Sequence, residues 1–142
     1  MDPFVKNFIR ASMLWLCIGV VLGVAMSFSP YALVWRPAHM HANLLGFVAM
    51  MIFGVAYHVI PRFSGAPLHR PRLARLHFWI ANAGLLLMVI GWIARPFQFG
   101  ALRLLQAGGL LGAAGAFMFA FNIWRTLGAA RPLGAPTQPV RR

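Results

Sequence analysis

Apolar residues run in four long stretches, about Ala11 to Phe28, His39 to Ile60, Leu76 to Ala94 and Leu104 to Ile123, and the charged positions gather between and beyond them. One helical crossing of a bilayer takes roughly 20 mostly apolar residues at ~1.5 Å of rise each, so every stretch is long enough to span once. The period-two alternation of a transmembrane β-strand is missing. The pattern predicts an all-α, polytopic four-helix bundle forming one membrane domain over residues 1–128, followed by a basic, Pro-rich tail over 129–142. The connections are short and Pro-bearing and leave no room for a soluble domain. The first stretch follows Lys6 and Arg10 in the manner of a signal peptide, and it is expected to stay in place as the first helix.

Composition supports this reading. Of 142 residues, 61% are hydrophobic and 10% charged, which in water would leave a chain of this size coated in apolar surface. The net charge of +12 is lopsided along the alternating helices. Lys6, Arg10, Arg62, Arg70, Arg72, Arg75, Arg125, Arg131, Arg141 and Arg142 fall at one end, and only Arg36, Arg95 and Arg103 at the other. By the positive-inside rule both termini face the cytoplasm, as in a bacterial inner membrane. The basic tail is expected to face anionic membrane lipids rather than nucleic acid. Cys17, alone in mid-span, reads as a packing residue and permits no disulfide framework.

Asp2 is the single acidic residue, so carboxylate-based proton relays, glycosidases and metalloproteases are excluded together. Any chemistry falls to histidine, arginine, tyrosine or a cofactor. The histidines are His39, His41, His58, His69 and His77. His39 and His41 open the second stretch and, at ~100° per residue, point about 200° apart, too divergent to grip one ion. Each can face a different neighbour, and neutral imidazole is a good axial ligand for haem iron; interfacial hydrogen bonding is the plain alternative. On the flank of His39 lie Asn43, Gly46, Met50 and Gly54, where small residues admit either a flat macrocycle or another helix. The flank of His41 carries Leu45, Val48, Ile52 and Val55, an apolar wall suited to a porphyrin edge or to lipid. Haem propionates need cationic partners, and Arg36, Arg95 and Arg103 share the end of the bundle where the histidine pair lies. His58 is ~25 Å down the helix from His41. With His77 it would form a second metal site or, more simply, separate hydrogen bonds, and His69 is expected to be solvated in its loop.

The run from His39-Met40-His41-Ala42-Asn43-Leu44-Leu45-Gly46 to Gly54-Val55-Ala56-Tyr57-His58-Val59-Ile60-Pro61-Arg62 resembles subunit I of the haem–copper oxidase and nitric oxide reductase superfamily. The resemblance implies that His41 is an axial ligand to a haem b and that His39 contacts a second haem. Such subunits look like three pseudo-repeats of four helices, which suggests a homotrimer of this chain with haems between subunits. The His-x-x-x-Tyr copper site and the channel carboxylates of the family have no counterpart here, so copper is not expected. The resemblance leaves three readings: a cytochrome b-like protein passing electrons to a redox partner or binding a diatomic gas, a haem-free accessory subunit of a respiratory complex, and an oxygen or nitric oxide reductase with a shared metal centre.

Overall fold

The computed structural model describes residues 1–97 and 100–129. Among the described residues four helices are long and apolar enough to cross a membrane: α1 (Pro3–Phe28), α2 (Pro30–Phe63), α3 (Pro71–Phe97) and α4 (Ala101–Gly128). Each exceeds its apolar stretch by several residues, because the flanking basic residues are good helix formers once a span has nucleated. Residues 130–142 of the expected tail, with Arg131, Arg141 and Arg142, lie outside the described residues.

Proline sets several boundaries. Pro3, Pro30 and Pro71 occupy first-turn positions, where a missing N–H costs no helical hydrogen bond. Ser29 alone, with extended backbone, separates α1 from α2. Pro61 does not stop α2 where the sequence suggested; it sits in the last turn and the helix runs on to Phe63. The connection to α3 turns at Gly65 (φ 64°), and α4 is entered through Gly100 (φ 57°), both in the left-handed region that glycine adopts without penalty.

α3 and α4 form the tightest pair. A Cβ added at Gly108 would stand 2.7 Å from the Gly84 carbonyl oxygen, so only glycine allows this backbone approach. α2 packs against α1 and α3, and a cluster of Phe4, Phe8, Phe53, Tyr57, His77 and Phe119 fills the basic end of the bundle. Even in α3, the most enclosed helix, only 33% of the most apolar window is buried, so the solvent of this fold is hydrocarbon. The protein is an all-α, multi-pass membrane bundle.

The loop before α3 is clipped to α4 by polar side chains. Asn122, fully buried, accepts from the Arg70 N–H at 2.9 Å and donates to the Arg70 carbonyl at 3.0 Å. Thr126, also buried, accepts from the His69 N–H at 3.0 Å. His69 is therefore not a freely solvated loop residue; its ring is half-buried and lies 5.8 Å from that of Phe121.

Candidate functional site

The candidate residues converge where α2 begins. Arg36 and Pro37 open a regular helical turn, Arg36–His41, which carries both histidines. Below it, Ala42–Ala49 is π-helical before α-helix resumes at Met50. Widened turns of this kind recur at functional sites, because they re-aim side chains on a helix without breaking it.

The two rings diverge as the spacing requires, and their surroundings differ. His39 lies against α1, its Nδ1–H donating to the Gly19 carbonyl at 2.8 Å, and a Cβ on Gly23 would stand 3.0 Å from its Cε1. Asn43 donates to the His39 carbonyl at 3.0 Å, and its amide nitrogen lies 3.5 Å from His39 Nε2. A Cβ on Gly46 would stand 2.5 Å from Trp15 Cβ, and one on Gly54 would press on Phe8 and Ile9. Of the two occupants that this small-residue flank admits, the structure seats a helix: α1 of the same chain. His39 thus packs against α1 of its own chain while staying half-buried.

His41 is placed differently. Its Nδ1–H donates to the Pro37 carbonyl at 2.7 Å, which fixes the tautomer and leaves the Nε2 lone pair outward, with no hydrogen bond among the described residues. The imidazole lies 6.1 Å from the Trp92 ring at 36°, and the Arg95 guanidinium sits 5.5 Å over that same indole. Arg95 and Arg103 border one open groove with Gly100 and Leu102. Arg36 stands exposed one turn before His39. Leu45, Val48, Ile52 and Val55 are 42–54% exposed, so the apolar wall on the flank of His41 faces outward.

Next to that wall, α2, α3 and α4 leave a crevice of about 90 Å³ lined by Leu45, Met50, Phe53, Leu85, Met88 and Gly112. A small-molecule site takes roughly 300–1,000 Å³, so this crevice is too small for a macrocycle. A flat ligand on His41 Nε2 would lie on the protomer's outer face and need another chain to enclose it.

The remaining histidines stay apart. The His58 Nδ1 accepts from Arg62 Nη1 at 2.8 Å on an exposed turn, whereas His77 is fully buried and its Nδ1 lies 3.1 Å from the Tyr57 hydroxyl. The two make separate hydrogen bonds, His58 to Arg62 and His77 to Tyr57. Among the described residues no group of three or more His, Cys, Asp or Glu is placed to hold a metal ion. Sequence reasoning missed Trp92 and the bond from Trp15 Nε1 to Asn82 Oδ1 at 3.1 Å, since each depends on which helices adjoin.

Residues 8–131 match the family model described as cytochrome c and quinol oxidase polypeptide I. A cbb3-type cytochrome c oxidase subunit CcoN1 of Stutzerimonas stutzeri is 30% identical across 69% of this chain and 26% of its own length. The bacteroid cytochrome c oxidase subunit 1 homolog of Bradyrhizobium diazoefficiens is 27% identical across 66% and 22%, respectively. A nitric oxide reductase chain of Stutzerimonas stutzeri is 37% identical across 40% of this chain and 12% of its own. The chain spans about a quarter of the length of the first two of these curated relatives.

Proposed function

The chain belongs to the cytochrome c and quinol oxidase polypeptide I family, and from that premise we propose that it is a haem b-binding membrane module that passes electrons or binds a diatomic gas at a subunit interface. The observation that carries this reading is His41: its tautomer is locked by the Pro37 carbonyl, its Nε2 has no hydrogen bond among the described residues, and the apolar residues at helical spacing below it are exposed. A neutral imidazole so oriented is a competent iron ligand. Bound there, haem would supply a one-electron iron centre.

The protein's own residues would do the rest. Pro37 holds the ring, Trp92 braces it, and Leu45 and Val48 present an apolar edge that keeps water from the iron. Arg95, Arg103 and Arg36 supply cations at the membrane surface for two carboxylates. Asn43 and Gly46 act at one remove, by seating His39 and α1 so that the opening turn of α2 is rigid.

A site on the outer face of a protomer, in a chain about a quarter the length of its relatives, favours completion by further copies. A ring of three is the first arrangement to test, with both termini on the cytoplasmic side of a bacterial inner membrane.

Oxidised and dithionite-reduced spectra of the detergent-purified protein, with haem counted per chain, test the reading. A Soret band lost in His41→Ala and kept in His39→Ala is expected. A colourless protein, or one whose spectrum depends on His39 alone, would overturn it.

A further inference from the structure

The bundle carries its charge in an unusual way. Lys and Arg number 13 against the lone side-chain carboxylate of Asp2, so nearly every cation must find its counter-ion outside the chain. Asp2 itself borders a separate groove with Arg62 and Leu68. Adjoining it across Pro71, the start of α3 and the clipped loop before it form an open groove of about 560 Å³, bordered by His69, Arg70, Arg72 and Leu76.

Two properties separate this groove from a diffuse basic surface. First, Arg72, Arg75, Leu76 and Trp79 recur at helical spacing along one exposed stripe of α3, so cations pass directly into apolar surface, with Leu76 49% and Trp79 69% exposed. α4 repeats the order from the other side, with Arg125 one turn beyond the exposed Phe121, on which His69 rests. Second, the groove is pre-organised: buried Asn122 and Thr126 hold the backbone of Arg70 and His69 before any ligand arrives.

We propose that this groove and the exposed surface beside it form a binding site for an anionic phospholipid, with the phosphate on Arg72 and the adjacent Arg75 and the acyl chains along Leu76, Trp79 and Phe121. Guanidinium matches phosphate oxygens in a two-pronged fashion. The apolar continuation into the membrane selects a lipid over free phosphate. A choline head group would bring its own cation to a groove bordered by Arg70 and Arg72 and by no acidic side chain, so the zwitterionic lipid is disfavoured.

The test uses the full chain, purified in detergent and stripped of lipid, with the thermal unfolding midpoint followed during titration with one additive at a time. Cardiolipin or phosphatidylglycerol should raise the midpoint saturably, and phosphatidylcholine and inorganic phosphate should not. The double variant Arg72→Gln/Arg75→Gln should weaken the half-saturating concentration by about tenfold or more, at about 1 kcal/mol per basic residue near an anionic head group. The control Lys6→Gln/Arg10→Gln removes the same charge from α1 and should leave it within about twofold. Equal stabilisation by phosphatidylcholine or by phosphate alone, or equal loss in both double variants, would overturn the proposal.

Discussion

Replacing Asn122 by leucine removes a two-pronged clip while nearly preserving volume. In the native protein its side chain makes bonds of 2.9 and 3.0 Å to the N–H and carbonyl of Arg70, and no part of the residue is exposed. Each such bond contributes a net ~0.5–1.5 kcal/mol, and a backbone group left buried and unpaired costs ~1–3 kcal/mol. Leucine packs well among apolar neighbours, and water can reach part of the loop. The two effects set the destabilisation at about 2–4 kcal/mol, above the ±0.5 kcal/mol usual for exposed sites. Reversible unfolding in mixed micelles, followed by near-ultraviolet circular dichroism, measures it, and amide exchange at Arg70 and His69 should quicken in parallel. The exposed Trp124 (80%) serves as a control through Trp124→Ala. If Asn122→Leu unfolds within about 0.5 kcal/mol of the native chain, the clip does not hold the loop and the reasoning fails.

Other consequences follow from the same contacts. Gly108→Val should push α3 and α4 apart, since even its Cβ would meet the Gly84 carbonyl; a loss of about 1–3 kcal/mol or failure to fold is expected, read from the unfolding curve. Trp15→Phe deletes the donor to Asn82 and should cost about 1 kcal/mol, whereas double-mutant coupling near zero with Asn82→Ala would show that the bond is idle. If haem binds at His41 as proposed, Trp92→Leu removes the brace of that ring and should keep the haem but shift its reduction potential, a change that electrochemical titration detects. Gly23→Leu should displace the His39 ring and destabilise the α1–α2 pair, and under the proposed ligation by His41 haem content should stay the same.

The family comparison and the fold bear on different parts of the question. Homology places the chain among the polypeptide I chains of the cytochrome oxidases at the level of one four-helix unit. The geometry adds an asymmetry: two histidines that a motif treats as a pair have unlike duties here. One holds α1 to α2, and the other keeps a ring nitrogen clear. Through the π-helical stretch beneath them Gly46 stays packed on α1 while Leu45 and Val48 stay exposed.

The spans were legible because a bilayer leaves a chain little choice: backbone polar groups in hydrocarbon must be paired within a helix or a closed barrel, and four apolar runs of the right length satisfy that locally. The divergence of His39 and His41 was legible for the same reason, since it follows from helical pitch over two residues. Which flank turned inward was not. The small residues at Gly46 and Gly54 suited a macrocycle as well as a helix, and only the position of Trp15, Phe8 and Ile9 on α1 decided it. The π-helical turn was equally hidden, because widening a helix costs little and depends on what is wedged against it, not on the residues within it. Tyr57 met His77 and not a metal, and Asn122 met Arg70 across 52 positions, through contacts between helices that share no local pattern. Local hydropathy determined the membrane helices, and packing between them determined which histidine was left free.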